Sequence, residues 1–422
     1  MSGRALTVLV TDGEERPALA ITRSLGRRNR SVIVGAERQA SLASVSRYCA
    51  GTVVYPSPSR APEAFAGFLR DFVARAAVDL VVPVTDVTTH IVAANRDALA
   101  AHTAVAAPAL EAFALAADKA AVMRRAVACG IPIPRTEFVD GLAGLDAVIG
   151  RVRYPAVVKP ARSRILTGGG WTYATVRYAR CESALRELYR TTECLASHPS
   201  LIQERIVGQG TGVFVLCDHG RVRAAFAHRR LREKPPSGGV SVLCESIPVD
   251  PALLAQAERL LGPLGWHGVA MLEYKQDRAS GTPFLMEVNG RFWGSLQLAI
   301  DAGVDFPHLC CQLALGEPLD EVPSYTAGVR NRWLLGDLDH LLLRICRHDR
   351  DLPEDAPSRL RTLAEFLTPR AHVRHEVFRR GDPHPALHEL REYMKSLRMT
   401  QRVRSTAPST IYQRGKNAGA LT

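Results

Sequence analysis

Over residues 1–106, four short β-branched runs alternate with segments of helical spacing, and no other feature restricts the fold as much. The runs are LTVLVTDG (6–13), RSVIVGAE (30–37), GTVVYPSP (51–58) and DLVVPVTD (79–86). RPALAITRSLGRR follows the first run and APEAFAGFLRDFVARAAV follows the third. Strands apolar on both faces and bounded by helices predict a parallel sheet covered on each side. Such a domain is Rossmann-like in topology. Its first turn, Thr11-Asp12-Gly13-Glu14-Glu15, lacks the glycine-rich pattern and carries acids that would repel a pyrophosphate, which argues against a nicotinamide site.

Residues 109–136, ALEAFALAADKAAVMRRAVACGIPIPRT, read as one long helix stopped by Gly130 and the IPIP segment. From about 150 to 320 the pattern changes to hairpins, and short strands with glycine or polar turns predict antiparallel sheets in an α+β arrangement. The last hundred residues are helical in pattern and end in a basic tail. No apolar stretch approaches the ~18 residues of a membrane helix. The opening MSGRALTVLVTDG reads as a first strand and not as a secretory signal. Nine cysteines include no CxxC pair, which fits reduced core thiols in a cytoplasmic protein. The net charge of +12 comes from scattered arginines without a nucleic-acid-binding motif. An Arg-rich composition explains it at least as well as a polyanion partner, a nucleotide substrate would also suit a basic cleft, and a nucleic-acid partner is not expected.

The chemistry concentrates in the hairpin GVAMLEYKQDRASGTPFLMEVNGRF. A turn centred on Ser280 sets Glu273 opposite Glu287, and alternation puts Asn289 on the same face but not Phe284, Met286 or Val288. Two carboxylates roughly 5 Å apart on a sheet repel; at ~4 Å and a dielectric near 20 the cost is about 4 kcal/mol. A divalent cation converts that repulsion into attraction, and carboxylate plus amide oxygens suit Mg²⁺. On this reading the metal-free chain keeps or gains stability when Glu287 loses its charge. Two weaker signals precede the hairpin. YPAVVKP ends a buried strand at Lys159, ahead of a glycine run at 168–170 whose N–H groups could approach phosphate. LIQERIVG (201–208) reads as an edge strand with polar faces.

In this order and spacing, Asp118-Lys119, YPAVVKP, the glycine loop, QERIVG and MEVNGR resemble the ATP-grasp superfamily over roughly residues 1–320. Within it the chain looks most like carboxylate–amine ligases related to the ATP-binding halves of carbamoyl-phosphate synthase and to biotin carboxylase. The resemblance implies an α/β and α+β chain. A Rossmann-like parallel domain (1–106) and a helical linker (107–149) would precede an ATP-grasp small lobe (150–207) and a large lobe with the metal site (208–320). A helical C-terminal extension (321–396) and a flexible basic tail (397–422) would complete the chain.

The same resemblance implies that Lys119, Lys159, Gly168 and Gly169 bind the ATP phosphates. Gln203, Glu204 and Val207 would hold the adenine, and Glu273, Glu287 and Asn289 would hold Mg²⁺ or alternatively Mn²⁺, Glu287 bridging two ions. Arg291 would face the acyl phosphate, and Arg232 the γ-phosphate. Trp293-Gly294-Ser295 would line an acceptor pocket, and the Pro-Gly run 235–239 would cover it or form a simple turn. The implied activity is ATP-dependent joining of a small carboxylate, an amino acid or peptide, to an amine through an acyl phosphate. A carboxylase or a non-catalytic nucleotide-binding protein is the alternative. Further expectations are a second copy of the chain as partner and no membrane association.

Overall fold

The computed structural model describes residues 4–236, 238–322, 324–346, 357–368 and 373–406, with side chains to 398. The first domain holds β1 (Thr7–Val10), β2 (Ser31–Ala36), β3 (Gly51–Val54), β4 (Leu80–Val82) and β5 (Ala104–Val105). They form a wholly parallel sheet in the order β3-β2-β1-β4-β5, as the apolar runs predict. Helices α1 (Arg16–Arg27), α2 (Pro62–Arg75), α3 (Asp86–Ala94) and α4 (Arg96–Ala100) connect the strands. The two-residue period divides the core. Leu9 and Val81 pack with Phe65 and Leu69 on one face, whereas Val8, Val10, Leu80 and Val82 face the other. That second face is continuous with Phe214, Phe226, Trp293 and Phe306, so the first domain and the later sheet share one core.

The expected long helix is broken into α5 (Leu110–Ala116) and α6 (Lys119–Ala128). Asp118 leaves helical geometry and caps α6, its Oδ1 accepting from the N–H groups of Ala120 and Ala121 at 3.0 and 3.1 Å. Lys119 thereby starts a helix instead of sitting mid-helix. A four-stranded sheet follows, built from β6 (Thr136–Asp140), β7 (Ala156–Pro160), β10 (Arg177–Ala179) and β11 (Pro199–Glu204) in the order β10-β7-β11-β6. The strand read as an edge, β11, is interior, flanked by β7 and β6. Strand composition does not reveal how many neighbours a strand has. Helices α7 (Glu182–Thr191) and α8 (Glu193–Ser197) connect β10 to β11, and β8 (Arg164–Thr167) pairs with β9 (Gly170–Tyr173) as a separate hairpin.

The largest sheet runs β16-β15-β12-β13-β14-β17-β18. Its strands are β12 (Gly208–Asp218), β13 (Arg221–Lys234), β14 (Val240–Ile247), β15 (Gly268–Asp277), β16 (Pro283–Asn289), β17 (Arg330–Arg332) and β18 (Val373–His375). Helix α9 (Pro251–Leu261) covers it, and α10 (Leu296–Ala302) and α11 (Phe306–Ala314) pack towards the first domain. The C-terminal extension is helical in α12 (Leu334–Cys346), α13 (Arg359–Leu367) and α14 (His384–Thr406), and it also contributes β17 and β18. Residues 397–406 continue α14, while the rest of the tail expected to be mobile lies outside the described residues.

One ion pair anchors the extension and corrects a sequence expectation. Arg232, expected at the γ-phosphate, is buried and donates through Nε and Nη2 to both oxygens of Asp337 on α12, at 2.7 and 2.6 Å. A β-bulge explains it: Arg230 pairs with Cys244 and Arg232 with the adjacent Leu243, so Leu231 is an extra residue. The bulge sends Arg230 and Arg232 to opposite faces. Among the described residues, Arg232→Ala leaves buried Asp337 with Arg332 as its one cation, and it should cost about 3 kcal/mol of stability. Denaturant unfolding of Arg232→Ala and of the Arg232→Leu/Asp337→Leu pair checks this, the pair being expected to recover most of the loss. An Arg232→Ala chain as stable as the parent refutes the anchor.

Candidate functional site

A cleft of about 350 Å³ lies between the four-stranded and the largest sheets. The hairpin β15–β16 supplies its floor. Glu273 pairs directly with Glu287, as centring the turn on Ser280 predicts. The register then shifts between Glu273 and Tyr274, so Met286 also lines the cleft, contrary to strict alternation, while Leu285 and Val288 stay in the core.

Cations from three other elements meet these acids. Lys119, at the start of α6, places Nζ 3.3 Å from Glu287 Oε2 and donates to Ser163 Oγ at 2.7 Å. Lys159 comes from β7, and burial lowers its pKa while Glu287 opposes that shift. Burial raises the Glu287 carboxyl, but Lys119 and Lys159 outweigh it and hold it down at about 2. Arg230 of β13 grips Glu273 with both Nη atoms, at 2.8 and 2.6 Å, and also donates to Glu233 at 2.8 Å. Burial and the Glu287 charge push Glu273 upward, against the pull of Arg230. Asn289 Nδ2 donates to Glu287 Oε1 at 3.1 Å, and Arg291 Nη2 donates to Asn289 Oδ1 at 3.3 Å. Arg291 also pairs with Asp86 of the first domain at 3.0 Å.

Of the residues singled out from the sequence, Lys119, Lys159, Gln203, Glu204, Glu273, Glu287, Asn289, Arg291, Trp293, Gly294 and Ser295 line this cleft. Gln203 Nε2 donates to Thr136 Oγ1 at 3.0 Å, and Glu204 Oε1 accepts from the Arg135 N–H at 2.9 Å. Val207 is not in the lining, although Arg205 and Ile206 are; its carbonyl accepts from the Arg278 N–H at 2.9 Å. Gly168 and Gly169 also lie outside the lining, at the exposed tip of the β8–β9 hairpin. The hairpin leans on the first domain: the Trp171 N–H donates to the Ser59 carbonyl at 2.7 Å, and a Cβ on Gly170 would meet that carbonyl at 2.4 Å. Arg230, Glu233 and Arg16 are cleft residues that the sequence did not single out. Arg230 was two residues from Arg232, but only the bulge decides which of them faces the cleft. Arg16, on the far-off first domain, carries no local signal.

The arrangement of the three sheets is the ATP-grasp fold. More narrowly, residues 196–336 match the model of the family described as ATP-grasp in the biosynthetic pathway with Ter operon. Among curated proteins, the N-terminal section of the carbamoyl phosphate synthase large chain of Methanopyrus kandleri is 24% identical over 234 residues, 52% of this chain. The chain covers 39% of that relative's length. A biotin carboxylase from Campylobacter jejuni, solved as a β,γ-ATP complex, superposes with a TM-score of 0.61 at 16% identity, covering 78% of this chain and 74% of that one. An L-amino acid ligase from Bacillus licheniformis gives a TM-score of 0.56 at 18% identity, covering 76% of each chain.

The paired cations reverse one expectation from sequence. Glu287 does not face Glu273 alone: it pairs with Lys119 and feels the charge of Lys159, and its folded pKa lies below the ordinary 4.5. The ionised carboxylate therefore stabilises the metal-free fold at neutral pH, and that contribution is lost as pH falls from about 4.5 towards 2. Glu287→Gln should accordingly lower the melting temperature in chelator at pH 7, with a gap to the parent that narrows on acidification below pH ~4.5. Calorimetry over a pH series reads this out; equal melting at pH 7 would contradict the pairing.

Proposed function

We propose that this chain is an ATP-dependent ligase that activates a carboxylate as an acyl phosphate and joins it to an amine. The observation that carries the reading is the cross-strand pair Glu273/Glu287 with Lys119, Lys159 and Arg291 around it in one cleft. Glu273, Glu287 and Asn289 offer hard oxygen donors on one strand pair, a set that fits Mg²⁺, or Mn²⁺ in its place. A bound ion would neutralise phosphate charge and free Arg230 and Lys119 from their carboxylate partners.

Lys119 and Lys159 would then orient the ATP phosphates, with the nucleoside towards Gln203, Glu204 and Ile206. The substrate carboxylate oxygen attacks the γ-phosphorus, the bond to the bridging oxygen breaks, and ADP leaves. The amine nitrogen attacks the acyl carbon, phosphate departs and the nitrogen loses a proton. Positioning and charge neutralisation supply the catalysis, without a protein nucleophile. Arg291, which lines the cleft with Arg16 and Trp293, would stabilise the oxyanion, an effect worth about 10²–10³ in rate. Amino acids or peptides are the proposed carboxylates, in keeping with the likeness to an L-amino acid ligase. A cytoplasmic setting accompanies this reading.

The test is a screen of amino-acid pairs with ATP and Mg²⁺, reading ADP and the mass of any new amide. Metal-dependent ADP release with amide formation is expected; ADP release that consumes bicarbonate instead indicates a carboxylase, and no metal-dependent release indicates a non-catalytic protein. Lys159→Ala should weaken ATP binding by roughly one to two powers of ten while leaving adenosine binding unchanged. Equal ATP affinity in the two proteins by calorimetry removes Lys159 from the phosphate site.

A further inference from the structure

At the opposite end of the largest sheet, Asp218 and His219 on the β12–β13 turn meet His267, which precedes β15. The ladder between β12 and β15 sets Cys217 against Gly268, and this register brings Asp218 beside His267. One ligand atom from each of Asp218, His219 and His267 lies within 4.8 Å of the other two. His267 Nδ1 is 3.5 Å from Asp218 Oδ1, too long for a good hydrogen bond, and it is buried without another partner. The two imidazoles are in contact, 4.5 Å between centroids and tilted by 34°. His219 holds φ at 45°, in a turn position where Asn or Gly is the usual occupant.

We propose that Asp218, His219 and His267 form a binding site for a borderline divalent transition metal, with Zn²⁺ as the probe. Two imidazoles and a carboxylate are a nitrogen–oxygen set suited to Zn²⁺, and three protein ligands leave a fourth position for water. Bonds of about 2.0–2.1 Å place ligand atoms about 3.4 Å apart in a tetrahedron. The Asp218–His267 separation already meets that spacing. His219 is exposed, so a rotamer change can close the remainder. Two cations lie nearby without capping the ligand atoms: Arg223 Nη1 is 4.0 Å from Asp218 Oδ2, and Arg96, whose charge adds to burial in lowering the His267 pKa, donates to the Ala107 and Pro108 carbonyls. The site is distinct from the cleft. Gly212 is the residue opposite Glu273, and the six strand residues from there to Asp218 span about 20 Å. The ion would fasten the β12–β13 turn to the start of β15, beside the bond from the Gly220 N–H to the Trp266 carbonyl at 2.7 Å.

Calorimetric titration of Zn²⁺ into the full chain, in millimolar Mg²⁺, tests the assignment. One saturable Zn²⁺ per chain is expected, unchanged in Glu287→Gln and weakened at least tenfold in both His219→Asn and His267→Ala. His219→Asn suits the same backbone conformation, so it keeps the turn while removing the imidazole. Zn²⁺ should also raise the melting temperature of the parent but not of the His219→Asn chain. The site is refuted by an absence of saturable uptake, by binding that both histidine variants retain, or by binding that only Glu287→Gln abolishes.

Discussion

Two carboxylates standing opposite each other on adjacent strands set the terms for everything around them. Glu273 and Glu287 cannot both remain ionised on a partly buried sheet face without cations close by. The chain answers with Lys119 from a helix start, Lys159 from a second sheet and Arg230 from a neighbouring strand. Each approaches from a different structural element, so the acid pair and the fold hold one another in place. Lys119 and Arg230 rest directly on the acids, at 3.3 and 2.6 Å.

The surrounding architecture keeps those cations in position. Asp118 breaks a potential long helix and turns Lys119 into the cleft, while the Lys119 N–H donates to the Ala161 carbonyl at 2.7 Å beyond β7. The C-terminal extension ties back to the start of the chain. Arg23 of α1 donates to Asp382 at 2.8 Å and to the carbonyls of Glu376 and Val377, and Arg16 pairs with Glu376 while lying 3.9 Å over the Trp333 ring. A segment whose sequence carries no motif thus supports one wall of the cleft, because Arg16 is both a cleft residue and a partner of the extension.

Much of this was legible locally. Apolar runs separated by helical spacers gave the parallel sheet, since a strand buried on both faces must be apolar at every position. The Glu273/Glu287 pairing followed from a polar turn at fixed distance from both, which is enough to set an antiparallel register. At two positions where the reading failed, an insertion of a single residue was the cause. Bulges at Leu231 and Met286 shift the alternation by one, and neither is signalled by residue type. Gly168 and Gly169 lie outside the cleft lining for another reason: they have loop composition, but the hairpin that carries them is drawn towards Ser59 of the first domain.

The sequence by itself determined the parallel first domain, the acid hairpin and the basic residues available to meet it. These depend on periodicity and turn chemistry within a few residues. Only the tertiary structure decided that β11 is interior, that Arg230 and not Arg232 reaches Glu273, and that lysines hold the Glu287 carboxyl in its charged form. The reason is physical: neighbour number, bulge-dependent facing and the balance between burial and Coulomb attraction are set by groups distant in the chain. No local window contains both partners.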